Sequence, residues 1–314
     1  MDAAAFATKI RSAIAQCSLG SWPTPLEPAP ALARATGLGA LWLKREDRAG
    51  GNKTRGLEFL LADAAPETAF VTVGGTGSTH CLATALHARR LGHRIVLAQF
   101  PQPETEATRA VAAATSRAAD LVVRARSQLG LPWAVLRAWT HARRLGTRRW
   151  IPGGGAHPRA VIGHVLAALE LATQLEEPPD TIVVPLGTGG TAAGIALGVA
   201  WLDWPTRVVA VRVAPRLVAN RWRTVRLARN AAALLHARDR QFGSPRSEFR
   251  IDVVDGLGAG YGHPSPAGER ARALAAEHGL RLDPTYGGKA FAFLLQRATG
   301  NVQRAVFWHT FAWP

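Results

Sequence analysis

The chain has 314 residues, 47% of them hydrophobic, enough for a large buried core and for two domains or one large α/β unit. No apolar run reaches membrane-spanning length without a charge or turn residue, and the N-terminus has an acid at Asp2 and no signal-peptide core, so no membrane partner is expected. The formal charge of +16 is spread along the chain, as at Arg89-Arg90, Arg143-Arg144, Arg148-Arg149 and 216–229, and reads as an arginine-rich composition that would suit anionic ligands, with no specific nucleic-acid partner.

Residues 1–16 read as a short amphipathic helix. SWPTPLEPAP (21–30) is punctuated by proline, which disfavours helix at itself and before it, and reads as extended. LWLKRED (41–47) alternates like a strand and enters Gly50-Gly51-Asn52-Lys53, after which a helix is expected over Leu57 to Ala64. A short strand, Phe70 to Val73, runs into GGTGSTH (74–80) and a helix over 81–91. A strand at 94–99 and helical patterns at 104–118 and 131–145 follow, with a short strand-like run at 121–123. IPGGGAHP (151–158) reads as a loop and 159–174 as a strong helix.

TIVVP (181–185) is a β-branched strand ending in LGTGGTAAG (186–194) and a helix to about Trp201. A strand is expected at 207–213, a helix at 215–237 and a strand at 251–254. Helices are expected over 264–278 and within 282–296, then a last strand at 306–308. Strands alternating with helices indicate a parallel sheet with helices on both faces. Composition marks no domain boundary, no repeat and no linker.

Of the 38 Lys plus Arg, only Lys9, Lys44, Lys53 and Lys289 are lysines. Arginine stays protonated and cannot act as an amine nucleophile. A deprotonated lysine can form a Schiff base with an aldehyde cofactor. The pair Gly50-Gly51 clears side chains from the approach to Lys53, which reads as a held reactive amine or as an ordinary surface lysine. Gly187-Thr188-Gly189-Gly190-Thr191 lies between a strand and a helix, where backbone N–H groups and the helix dipole favour an anion. No lysine follows the last glycine and the spacing does not fit GxGxxG, so a single phosphate fits better than a triphosphate or dinucleotide. The alternative is a plain strand-to-helix turn.

The second glycine turn, 74–80, carries Ser78, Thr79 and His80. Its N–H groups and hydroxyls could grip a carboxylate; GxSxG is absent, and His80 could equally be a helix-start histidine. The chain's two tyrosines, Tyr261 and Tyr286, both fall in glycine-rich turns. Cys17 and Cys81 have no metal-ligand or disulfide-framework spacing, so no metal site is expected and a reducing, cytoplasmic setting is.

These pieces resemble a family. Lys44-Arg45-Glu46-Asp47, the segment Gly50 to Ala64, Gly77 to His80, Gly187 to Thr191, Gly260 to Gly268, Leu282 to Ala290 and His309-Thr310 occur in the order found in the 1-aminocyclopropane-1-carboxylate deaminase and D-cysteine desulfhydrase family. These are pyridoxal-phosphate enzymes of the tryptophan-synthase-β type, fold type II, and the resemblance runs from about residue 23 to 310. It implies an α/β fold of two domains with parallel twisted sheets flanked by helices: residues 1–56 with 165–314 as the large cofactor-binding domain, and 57–164 as the small one. It also implies pyridoxal 5'-phosphate as cofactor, a small amino acid as substrate and a homodimer.

By the same resemblance, Lys53 carries the cofactor, and Gly187, Thr188, Gly189, Gly190 and Thr191 hold its phosphate. Thr79 and Thr310 meet its ring. Ser78, Thr79, His80, Tyr261 and Tyr286 meet the substrate, with Lys53, Ser78 and Tyr286 in catalytic roles. The chain departs from the family in several places. Thr79 replaces an asparagine, Gly56 a lysine, and four or five residues are missing between Asp47 and Gly50. Gly287 stands where deaminases have glutamate, and the end reads HTFAWP without the family's glycine pair. The implied reaction is α,β-elimination and deamination to a keto acid and ammonia. The alternatives are 1-aminocyclopropane-1-carboxylate deamination, or a diverged cofactor-binding protein with little lyase activity.

Overall fold

The computed structural model describes residues 2–297, 303–311 and 313. The chain runs α1 (Ala3–Ala13), β1 (Leu26–Pro28), α2 (Pro30–Thr36), β2 (Ala40–Arg45), α3 (Lys53–Leu60), β3 (Ala69–Gly75) and α4 (Thr79–Arg90). It continues through β4 (Arg94–Phe100), α5 (Glu106–Ala118), β5 (Leu121–Arg124), α6 (Leu131–Ala142), β6 (Arg148–Trp150) and α7 (Pro158–Gln174). Then come β7 (Thr181–Leu186), α8 (Gly190–Leu202), β8 (Arg207–Arg212), α9 (Arg221–Arg238), β9 (Ile251–Asp255), α10 (Pro266–Glu277), α11 (Gly287–Arg297) and β10 (Arg304–His309).

The strands form two sheets. One has the order β1-β2-β10-β7-β8-β9 and the other β5-β4-β3-β6. Every pairing is parallel except β1 with β2. The central strands are continuous apolar runs because helices cover both faces; all six residues of TIVVPL in β7 are buried. Helices α3, α7 and α8 stack through small residues. A Cβ at Gly163 would stand 2.2 Å from the Arg55 carbonyl oxygen, and one at Gly194 would stand 2.3 Å from the His164 Cβ. A Cβ at Gly56 would meet the Ala160 Cβ at 3.0 Å, so this packing leaves little room for the lysine found at that position in the family.

Several element bounds differ from the sequence expectation. Helix α3 starts at Lys53, four residues early, and ends at Leu60. Gly50 and Gly51 adopt φ of +80° and +87°, a turn open to glycine at little cost, and this brings Lys53 to the first helical position. Helix α9 starts at Arg221, because Asn220 caps it by accepting the Arg223 N–H. The sequence reading also missed α2, β1 and β6. Pro30 occupies the first position of α2, where proline is tolerated, so a proline-dense stretch concealed a helix start. The two strands are three-residue edges, too short to show a period.

Among the described residues no helix is long and apolar enough to cross a membrane. No group of three or more His, Cys, Asp or Glu among them is placed to hold a metal ion.

Candidate active site

Six strands, β2, β3, β4, β7, β8 and β10, end around one cavity of about 390 Å³. Ligand sites in parallel sheets form at these carboxyl ends, where the turns leave the strands. All the site residues expected from sequence line this cavity: Lys53 from the turn after β2, Ser78, Thr79 and His80 after β3, Gly187 to Thr191 after β7, Tyr261 and Tyr286 from later turns, and Thr310 after β10.

Lys53 reaches into the cavity from the start of α3. Its Nζ lies 3.4 Å from the Gly154 carbonyl oxygen and has no carboxylate ion-pair partner among the described residues. Protein packed around the amine lowers its pKa from 10.5 to about 8 by desolvation. Roughly a tenth of the amine is therefore neutral, and nucleophilic, at pH 7, far more than for a lysine that titrates at its ordinary value.

The turn after β7 presents backbone donors that would suit an anion. Gly189 adopts φ of +94° as it caps α8, a 13-residue helix whose first-turn N–H groups have no partner within the helix. A Cβ at Gly154 would come 2.3 Å from the Thr188 hydroxyl, so the 153–155 turn and the 187–191 turn meet as nearly bare backbone. Among the described residues, no Asp or Glu lines the cavity. Backbone donors, hydroxyls and an amine without a carboxylate fit a phosphate-bearing aldehyde such as pyridoxal phosphate.

Ser78 caps α4, its Oγ accepting the Cys81 N–H at 3.3 Å. Thr79 is the first residue of α4 and keeps partial exposure towards the cavity. His80 is buried against β3 with Nε2 at 2.9 Å from the Thr72 hydroxyl. Burial, and secondarily the Lys53 charge, lower its pKa to about 3, so its ring is neutral at working pH. Tyr261 and Tyr286 share a hydrogen bond of 2.6 Å between their hydroxyls. Burial raises the pKa of both, Tyr261 to about 12 and Tyr286 well above its usual 10, so both carry their protons.

Sequence reasoning passed over Asn52. Its Nδ2 donates to the Thr191 hydroxyl at 2.6 Å and its backbone N–H to the Thr310 carbonyl at 3.1 Å. One residue thus ties the lysine turn to the anion turn and to the end of β10. Its place directly before Lys53 was the available signal. The turn Gly153–Gly155, read only as a loop, contributes Gly153 and Gly154 to the wall.

A buried ionic cluster lies beside α3. Arg55 donates to Glu46 at 2.7 and 2.8 Å and to Glu170 at 2.9 Å, and stacks over Trp22 at 3.9 Å. Lys44 donates to the same Glu170 oxygen and, at 2.8 Å, to the Thr24 carbonyl.

The comparisons agree with this geometry. A family model described as "Pyridoxal-phosphate dependent enzyme" matches residues 17–310. The chain is 37% identical to the nocardicin C-9' epimerase of Nocardia uniformis subsp. tsuyamanensis, over 92% of this chain and 90% of that one. It is 33% identical to the D-cysteine desulfhydrase of Salmonella paratyphi B, over 92% and 91%. A crystal structure described as an ACC deaminase homologue superposes with a TM-score of 0.83 at 29% identity, covering 96% of this chain and 94% of that one. The chain therefore belongs to the pyridoxal-phosphate dependent enzyme family, with the fold type II architecture and pyridoxal 5'-phosphate as its cofactor.

Proposed function

We propose that this enzyme is a lyase that removes the Cα proton of an amino acid and expels a group from Cβ. The single observation that carries this reading is the desolvated Lys53 amine, with its pKa near 8, in the same cavity as the protonated Tyr261–Tyr286 pair. Residues 187–191, with Asn52 orienting Thr191, hold the cofactor phosphate. The 77–80 turn binds the substrate carboxylate through backbone N–H groups and the Ser78 and Thr79 hydroxyls. When bound, the cofactor delocalises the electron pair left at Cα. Lys53 Nζ takes the Cα proton, and the Tyr286 hydroxyl, held protonated by burial and by Tyr261, gives a proton to the departing group. Overall, the amino acid and one water become a keto acid, ammonia and the protonated leaving group, with no net redox change.

Gly287 favours elimination over cyclopropane ring opening. It offers no carboxylate, and a Cβ there would stand 3.1 Å from Asp283 Oδ2. Keto-acid release from D-cysteine, L-cysteine, β-chloroalanine, diaminopropionate and 1-aminocyclopropane-1-carboxylate in parallel tests this choice. The β-substituted amino acids should react faster than the cyclopropane. A cyclopropane rate well above the others would select the deaminase reading, and turnover of none would leave a diverged cofactor-binding protein. Epimerisation is a second reading, favoured by the 37% identity to an epimerase and by proton carriers on both Lys53 and Tyr286. Inversion of a single enantiomer, without keto acid, would select it.

The anion turn gives a separate expectation. In Gly189→Asp a side chain would enter a left-handed position 3.0 Å from the Thr224 hydroxyl and bring negative charge towards the phosphate. Cofactor affinity should fall by about a hundredfold or more in equilibrium dialysis. Unchanged affinity would move the phosphate elsewhere.

The proposal extends to two domains, 1–56 with 165–314 and 57–164, the second enclosing the four-stranded sheet. It extends also to a cytoplasmic homodimer, supported by the family resemblance. Sedimentation should give twice the chain mass of 33.5 kDa.

A further inference from the structure

The exposed large hydrophobic side chains are not scattered over the surface. Among the described residues they are Leu86, Leu129, Trp133, Leu136, Trp150, Leu217 and Trp222. All but Leu86 and Trp150 fall within two short segments, 129–136 and 217–222. Single exposed apolar residues need no explanation, but clustered ones mark binding surfaces.

Each segment begins at the rim of the cavity, to which it contributes Leu131 or Val218. Gln128 and Leu131 line it from the connection into α6, and Pro215 and Val218 line it from the connection into α9. Leu129 lies between two wall residues on the first lip and is 91% exposed. Leu217 lies between two wall residues on the second lip and is 84% exposed. The first lip follows β5 of the four-stranded sheet, and the second follows β8 of the six-stranded sheet. The core does not require these two leucines. The helix after the first lip packs through Leu131, Ala134 and Ala138, and the helix after the second through Val225, Ala228 and Ala231.

A substrate as small as cysteine would be enclosed between the 77–80 turn and Tyr286 and would leave both leucines in water. A side chain with an apolar extension would reach the mouth and bury them, a gain proportional to the apolar area removed from water. We propose that the preferred substrate is an amino acid carrying a large apolar group, seated between Leu129 and Leu131 on one lip and Leu217 and Val218 on the other. This rests on the preceding reading that the site removes a Cα proton, and it changes the expected size and polarity of the substrate.

The test compares S-benzylcysteine with cysteine, each as both enantiomers, on the holoenzyme. Two readouts are followed: exchange of the Cα proton for solvent deuterium, and keto-acid release. The exchange detects proton removal whether the turnover ends in elimination or in epimerisation. S-benzylcysteine should have a kcat/KM about tenfold or more above cysteine. Leu129→Ser and Leu217→Ser should each lower the benzyl-to-cysteine ratio about fivefold, while Leu86→Ser, on α4, should leave it unmoved. Retention of the visible cofactor band reports that each variant is folded and loaded. Equal or better use of cysteine would overturn the proposal and mean that the lips close on each other over a small substrate. A benzyl preference that neither leucine variant shifts would also overturn it. Exchange on neither compound would sink the proton-removal reading itself, and this inference with it.

Discussion

Lys53→Ala should abolish the visible absorption that borohydride bleaches and reduce turnover by about a thousandfold or more. On the proposed reading the substitution removes both the cofactor anchor and the base that takes the Cα proton, and a positioned base alone contributes about 10² to 10⁴ in rate. Lys289→Ala is the informative control. Lys289 is also buried, but its Nζ donates to the Leu257 and Gly260 carbonyls at 2.7 and 3.0 Å and so straps the turn that carries Tyr261. The control should keep the bleachable band. A pH dependence adds a test that a merely structural lysine would fail. Desolvation lowers the Lys53 pKa from 10.5 to about 8, so the neutral amine grows as pH rises and is nearly complete above that value. Capture of added cofactor by cofactor-free protein should therefore accelerate with pH, with its midpoint near 8, and level off about one unit higher. An acceleration that continues towards pH 10.5 would indicate an ordinary lysine. A reducible band in Lys53→Ala would place the anchor elsewhere.

The parts legible in the sequence were those whose chemistry is local. The turn Gly187 to Thr191 announces itself because its glycines lie between a buried strand and a helix, and all three elements are contiguous. Lys53 was legible because a chain nearly devoid of lysine keeps one after a glycine pair. The alternation of apolar strands and helices gave the parallel architecture for the same reason: each strand carries its own burial pattern. What was hidden depends on residues distant in sequence. The hydrogen bond from Asn52 to Thr191 spans 139 positions, and the pairing of Tyr261 with Tyr286 needs two turns to converge. The two sheets share no sequence boundary, because the chain leaves the six-stranded sheet after β2 and returns to it at β7. The lips at 129–136 and 217–222 overlap the helices expected at 131–145 and 215–237 and carried no sign of their exposure, since exposure of an apolar side chain follows from the finished packing.

The buried cluster around Arg55 was equally silent in the sequence, and it supports the largest stability effect expected here. Arg55 is 1% exposed and Glu46 is fully buried. The guanidinium donates twice to Glu46, once to Glu170 and once to the Thr24 hydroxyl, which itself lies 2.9 Å from Glu46. Two cations, Lys44 and Arg55, thus share two carboxylates, and removing one carboxylate leaves a positive charge buried without its counterpart. Breaking such a pair costs about 3 to 5 kcal/mol, far more than an exposed pair would. Glu46→Ala should therefore lower the unfolding free energy by about that amount, read as a shift of the denaturant midpoint at constant slope. The cofactor should also bind less tightly, because Arg55 lies two residues beyond Lys53 on α3 and its neighbours fix where that helix begins. Acid should mimic the substitution in part. Burial alone would raise the Glu170 pKa, but Arg55 and then Lys44 outweigh it and hold the carboxyl below its ordinary 4.5. The stabilisation from Glu170 is then complete above the ordinary glutamate range and is lost as pH falls through the lower folded value. In Glu46→Ala, Glu170 is left, among the described residues, as the one carboxylate paired with both cations. Its folded pKa should fall further, and the variant should lose stability at a lower pH than the parent. A Glu46→Ala midpoint within about 1 kcal/mol of the parent would mean that water or a neighbouring group replaces the carboxylate, and that the cluster does not hold α3 in place.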